Sequence, residues 1–338
     1  MDGNSKCIIL WIIKAIVSGV IALGVLSIFA LFYYNYGIRK TNTTGATDYS
    51  WENRFYSQGY EGVGYGILDE NGFNNIKPYS DIDILLMGSS QMEARNVAQN
   101  KCSSYVLDSC LNDYNVYNIA VEGHNIYRNI SNLDAALKEY TPSKYVILET
   151  MNIDLDNDSM IMAISGSYTK SNAYDSGIIY YMQKVPYLRI IHKQLTALKT
   201  NKDVDQFKLD DDIDDNSSDN VEIYKDNLEF FLGKYAKKCN DYGCKPIILY
   251  LPDITIDENG LLLSSYSNKE KMFLDVCTEL GIELVDMSKV FESEYNSNYC
   301  IPYGFCNTSI GYGHLNEYGH KIVAEELYRK IMELEYEL

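Results

Sequence analysis

Between Ile8 and Tyr34 the chain carries a single charge, Lys14, and Ala15 to Tyr34 is an unbroken run of twenty uncharged residues. At about 1.5 Å of rise per residue, roughly 20 helical residues cross the hydrocarbon core of a bilayer, with every backbone polar group satisfied inside the helix. A cleavable signal segment has a shorter apolar stretch, about 7–15 residues, and ends at a small-x-small site. This run ends instead in Phe29-Ala30-Leu31-Phe32-Tyr33-Tyr34, placing aromatics where a bilayer meets water. Residues 1–40 are therefore expected to be an uncleaved, single-pass anchor, with the rest of the chain on one side of a cell membrane. Lys6 and Lys14 nearly balance Arg39 and Lys40, so the flanking charges do not choose that side.

Cysteine spacing leans toward the extracytoplasmic side. Three sequence-local couples, Cys102/Cys110, Cys239/Cys244 and Cys300/Cys306, suit disulfides formed in an oxidising compartment, with Cys277 left over. Buried thiols that merely pack are the other reading. No Cys-x2-Cys pair is present, so structural zinc is not expected; no other cofactor is expected either. With 29 Lys and Arg against 47 Asp and Glu, the net charge is −18. Such a chain, lacking a dense basic stripe, is not built to neutralise phosphates, and nucleic acid is excluded as a partner.

Residues 41–80 form a polar stretch rich in Tyr, Gly and Asn, read as a stalk followed by irregular packing onto a domain at 81–338. Gly62, Gly64 and Gly66 invite a phosphate-loop reading, but no strand precedes them and no helical pattern follows. After Ser80 short apolar runs alternate with helical patterns. Strands are expected at 82–87, 116–121, 144–149, 247–251 and 282–285. Helices are expected at 126–137, 221–238 and 268–280, with a last one from about Glu317. That alternation predicts an α/β fold with a parallel sheet covered on both faces. An insertion at about 154–220 ends in an acidic run, Asp203 to Asp219. It lacks the ordered spacing of a calcium loop and reads as a solvated loop.

In open parallel sheets ligands gather at the carboxyl ends of the strands. Gly88-Ser89-Ser90-Gln91 follows the first strand, Glu122-Gly123-His124-Asn125 the second and Thr150-Met151-Asn152 the third. Gly313-His314-Leu315-Asn316 stands ahead of the last helix. Acyl transfer needs a nucleophilic hydroxyl, a base for its proton and donors aimed at a developing oxyanion. Ser90 and His314 are the candidate catalytic pair. The backbone N–H groups of Ser90 and Gly123 and the Asn152 amide are the candidate oxyanion donors. Ser90 as a helix N-cap, Gly123 as a turn glycine and Asn152 as a cap are the structural alternatives. His320 reads as a helix-start residue, and the His314/His320 pair lacks a third metal ligand. The Gly-x-Ser-x-Gly, His-Glu-x-x-His and P-loop signatures are absent.

In order and strand placement, Gly88-Ser89-Ser90, Gly123, Asn152 and His314 resemble the SGNH (GDSL-like) hydrolase superfamily, over about Asp81 to the C-terminus. The resemblance implies a flavodoxin-like αβα sandwich, here preceded by one transmembrane helix. It also implies esterase or acyltransferase chemistry on an acylated carbohydrate or cell-envelope polymer. A catalytically degenerate domain that binds a surface glycan or a membrane-protein partner is the alternative. Two positions depart from the family pattern. Ser89 stands where an Asp usually precedes the nucleophile, and Gly311 where an Asp usually orients the histidine. A backbone carbonyl, or Asp286 from elsewhere in the chain, is then left to orient His314.

Overall fold

A computed structural model describes residues 3–35, 54–77, 81–151, 153, 155–165, 185, 187–188, 190–191, 218–256, 260, 262–264 and 266–336. The chain divides into two compact units, Met1–Tyr36 with Ser171–Leu209, and Gly37–Lys170 with Asp210–Leu338. In the first unit, helix α1 runs Gly3–Tyr33. Its stretch Cys7–Tyr33, 27 residues at a mean hydropathy of 2.6, is long and apolar enough to cross a membrane. Trp11, Ile16, Val20 and Phe29 are all exposed, so the helix is apolar all round rather than amphipathic.

The second unit begins with a hairpin, β1 (Phe55–Gln58) antiparallel to β2 (Gly64–Ile67). A five-stranded sheet follows, made of β3 (Ile84–Met87), β4 (Val116–Asn118), β5 (Tyr145–Met151), β6 (Lys245–Leu251) and β7 (Glu283–Asp286). Its spatial order is β4-β3-β5-β6-β7 and every pairing is parallel. Numbered along the chain this is 2-1-3-4-5, the flavodoxin-like doubly wound order, which reverses direction between β3 and β5. The expected fold class holds.

Alternation along the strands builds two cores. Leu85, Met87, Val146, Leu148 and Ile248 pack on one face against α4 (Ile126–Tyr140), α6 (Ser218–Asp241) and α7 (Asn268–Glu279). Ile84, Leu86, Ile147, Ile247 and Val285 pack on the other, against α3 (Ser103–Cys110), α8 (Ser288–Asn298) and α9 (Glu317–Tyr336). Also present are α2 (Ser90–Glu93), α5 (Asn157–Ile164) and the antiparallel ribbon of β8 (Tyr303–Gly304) and β9 (Ile310–Leu315). The expected second strand ends at the buried Asn118, whose side chain takes the Ala120 N–H, although Ile119 N and Val121 N still donate to Leu86 O and Gly88 O. Asn118 Oδ1 accepts from Ala120 N at 2.9 Å and its Nδ2 donates to Met92 O at 2.7 Å. Asp203 to Asp215 of the acidic run lie outside the described residues.

The disulfide expectation is corrected: all eight cysteines are free thiols. Cys102 precedes α3 and Cys110 ends it, which puts them about 12 Å apart along the axis, well beyond the roughly 7 Å between Cα atoms that a disulfide bridges. Cys102 donates to Gln99 O at 3.0 Å and Cys244 to Pro142 O at 2.9 Å, as packed thiols do. Burial pushes the Cys277 thiol up to about 12 and Cys244 up to about 11. The cysteines therefore no longer speak for either side of a membrane.

Candidate active site

Ser90 opens α2 directly after β3, at the reversal of strand order. Its neighbour caps the helix: Ser89 Oγ accepts from Gln91 N at 3.2 Å. Ser90 is thus relieved of the capping role, and its Oγ lies 2.8 Å from His314 Nε2.

His314 is carried on β9, and Gln91 fixes that strand to α2. The Gln91 amide donates to Gly313 O at 3.1 Å and accepts from Leu315 N at 2.8 Å, bracketing the histidine on both sides. The other imidazole nitrogen does not meet a backbone carbonyl or Asp286. It meets Glu61, whose Oε2 is 2.7 Å from Nδ1 while Oε1 accepts from His314 N at 2.9 Å. Asp286 is engaged elsewhere, accepting from Tyr266 Oη at 2.5 Å and Ser288 N at 2.9 Å. With Nδ1–H donating to the carboxylate, Nε2 keeps its lone pair for the Ser90 proton. Burial pushes the Glu61 carboxyl up, but the hydrogen bonds and charge of His314 outweigh it and hold the group below its ordinary value. Glu61 is 14% exposed and His314 27%, so solvent screens the contact only partly.

Sequence reasoning missed Glu61 because it lies 253 residues from its partner, in the stretch read as stalk and irregular packing. The loop holding it is well anchored. Asn307 accepts from Gly62 N at 2.9 Å and donates to Gly59 O at 2.9 Å, and Asn96 donates to Glu61 O at 3.3 Å. The glycines that invite a phosphate-loop reading have another use. A Cβ on Gly62 would strike Asn96 O and the Phe305 ring, and one on Gly64 would strike Arg95 O. The glycines beside the histidine, Gly311 and Gly313, mark a close approach without naming what approaches, and only Gly313 makes room for Glu61. Both have positive φ (84° and 97°), and a Cβ on Gly313 would sit 2.5 Å from Glu61 Oε1. Gly313→Ala is expected to displace Glu61 and lower kcat about 10²-fold, with an unchanged circular dichroism spectrum. Steady-state kinetics on an acetyl ester checks this, and a kcat within threefold of wild type would refute it.

Gly123 occupies an exposed turn with φ +79°. The preceding Glu122 N–H donates to the Glu93 carboxylate, which is also paired with Arg95 Nε at 2.6 Å. A buried ion pair on the C-terminal side of α2 thereby anchors the Gly123 turn. Asn152 lies outside the described residues. His320 stands apart from the site: it is fully buried, with Nδ1 2.8 Å from Ser103 Oγ, and burial lowers it to about 3. Among the described residues no group of three His, Cys, Asp or Glu could hold a metal ion.

No family model matches the chain. No curated protein matches it either. Solved structures similar to it include a psychrotrophic esterase from Pseudoalteromonas sp., at 13% identity over 75% of this chain and 98% of that one, with a TM-score of 0.38. An acetyl xylan esterase is 14% identical over 74% of this chain and 100% of that one, with a TM-score of 0.41. A member of the lipolytic G-D-S-L family from Veillonella parvula is 11% identical over 73% and 97%, with a TM-score of 0.35. These are likenesses of fold.

Proposed function

We propose that this chain is a serine esterase or O-acyltransferase whose nucleophile is Ser90, whose general base is His314 and whose orienting acid is Glu61. One observation carries the reading: the unbroken chain of contacts from Ser90 Oγ through both imidazole nitrogens to a carboxylate, at 2.8 and 2.7 Å. In the first step His314 Nε2 takes the hydroxyl proton as Ser90 Oγ adds to the acyl carbonyl. The tetrahedral oxyanion is met by the N–H groups of Ser90 and Gly123 and by the Asn152 amide. The imidazolium, stabilised by Glu61, then protonates the leaving alkoxide and an acyl-Ser90 ester remains. Water, or a sugar hydroxyl deprotonated by His314, attacks that ester and regenerates the serine.

The substrates we assign are acyl esters on cell-surface glycans or wall polymers, with the chain held by α1 in a cell membrane and the Ser90 domain on the extracytoplasmic side. The anchor is supported by the membrane-length helix at Cys7–Tyr33 ahead of the site, and the extracytoplasmic side follows from the assigned surface substrate rather than from the helix. A binding-only domain draws its chief support from the lack of an acid at position 311, and Glu61 offers the acid from elsewhere in the chain.

The test uses the full chain in detergent with a fluorophosphonate probe, peptide mapping by mass spectrometry, and turnover of p-nitrophenyl acetate and acetylated oligosaccharides. A single modified peptide containing Ser90, with turnover lost in step with labelling, is expected. An unmodified Ser90 peptide together with no turnover of any ester would sink the enzyme reading. Added sugar acceptors separate transfer from hydrolysis by the product formed.

A further inference from the structure

Beneath the nucleophile turn lies a second carboxylate, outside the Ser90–His314–Glu61 chain of contacts. Glu149, on β5 and 1% exposed, sends both of its oxygens to the residue before Ser90. Oε2 accepts from Ser89 N at 2.6 Å, and Oε1 from Ser89 Oγ at 3.2 Å. Ser89 Oγ in turn accepts from Gln91 N, so one hydroxyl joins the buried acid to the first turn of α2. The approach is close enough to dictate the preceding residue. A Cβ on Gly88 would stand 2.6 Å from Glu149 Oε2, so only glycine fits there.

We propose that Glu149 is a positioning residue of the nucleophile turn: its two oxygens hold Ser89 and thereby set where Ser90 Oγ meets His314 Nε2. This rests on the serine-nucleophile reading given above. A buried carboxyl is an expensive way to hold two donors, and it stays only where both are satisfied. Ser89 also occupies the position where the resembled family carries Asp, and here its hydroxyl is what the buried acid needs. Burial pushes Glu149 up to about 7, opposed by the two Ser89 hydrogen bonds and by the charge of His314. The groups facing it are Ser89 from the turn, His314 from β9 and Tyr303 from β8, and burial keeps the Tyr303 hydroxyl un-ionised. Because the Glu149 and His314 charges attract, the ionised acid also favours the imidazolium that forms as Ser90 attacks.

Two variants in the full-length, detergent-solubilised chain test this, with p-nitrophenyl acetate kinetics and the rate of fluorophosphonate labelling as readouts. Glu149→Ala removes both acceptors and is expected to lower kcat and the labelling rate about 10²-fold, with KM within about threefold. Glu149→Gln keeps one carbonyl oxygen for Ser89 N and restores part of that loss, to about tenfold below wild type. It also removes the negative charge facing His314, so the acid limb of kcat/KM moves to lower pH, by about half a unit. Packing alone would not move that limb. Where Glu149→Ala does not fold, the Glu149→Gln profile decides. A kcat for Glu149→Ala within threefold of wild type, or a Glu149→Gln acid limb that stays in place, would overturn the proposal. A wild-type chain that the probe does not label at Ser90 overturns the serine-nucleophile reading and this proposal together. A labelled wild type with unaffected Glu149 variants overturns this proposal alone.

Discussion

Glu61→Gln is expected to lower kcat on a small acyl ester by about 10⁴-fold, or ~5 kcal/mol of transition-state stabilisation, with KM little changed. The size follows from the two contacts the carboxylate makes at once. Oε1 accepts from the backbone N–H of His314 and Oε2 faces Nδ1. A carboxylate has two acceptors for this arrangement, whereas an amide has one acceptor and one donor. If the oxygen of the substituted amide stays on the backbone N–H, its NH₂ group faces Nδ1 and donates to it. The imidazole then carries its proton on Nε2, pointing at Ser90, and can no longer take the hydroxyl proton. If the amide flips, its NH₂ group is driven against the backbone N–H. Both orientations fail for the same electrostatic reason. The measurement is kcat and fluorophosphonate labelling rate for Glu61→Gln and Glu61→Ala against wild type, with near-UV circular dichroism as the control for folding. A loss under tenfold would mean that some group other than Glu61 orients His314.

Ser90→Ala is expected to abolish labelling and lower turnover by about 10⁶-fold, and Ser90→Ala/His314→Ala to be no worse than either single change. A nucleophile and its base act in one proton transfer, so removing either removes the whole step and the losses do not add. The fold should be nearly indifferent to the Ser90 change. Capping of α2 belongs to Ser89, and the strand carrying His314 is held by the Gln91 amide rather than by the Ser90 hydroxyl. Chemical denaturation of Ser90→Ala should give an unfolding free energy within about 0.5 kcal/mol of wild type. Additive losses in the double variant, or retention of labelling in Ser90→Ala, would place the nucleophile elsewhere.

Particular residues show what was legible in the chain and what was not. Ile84 to Met87 read as a strand because a short apolar run flanked by polar residues is buried on both faces of a parallel sheet, and all four are buried. The last helix read correctly from Ile322, Val323, Leu327, Ile331 and Leu334, which recur at its period and are all buried. Ser90 and His314 were legible as candidates because each stands beside an element whose own pattern is strong. The β1–β2 hairpin was missed because its strands are four residues each and its glycines serve close approaches to Arg95 and Asn96. Ribbon β8–β9 was missed for a similar reason, since Gly311 and Gly313 interrupt any alternation. The Cys102/Cys110 couple misled because nearness in sequence is not nearness of Cβ atoms when a helix lies between them.

Periodicity is a local property, written by side chains that choose between a helix and a strand over a few residues, and it determined the α/β class and the strand ends where chemistry could sit. The twenty-residue uncharged run likewise determined, by length and desolvation alone, that the N-terminus forms a helix fit for a bilayer. The acid of the site was decided by tertiary structure only. Glu61 reaches His314 across 253 residues because Asn307 pins its loop to the ribbon and Gly313 leaves room for its carboxylate. Neither residue has a pattern that points to the other. A carboxylate–imidazole contact is set by distance and desolvation once the chain has closed on itself, and those do not exist in the sequence before folding brings the two ends of the domain together.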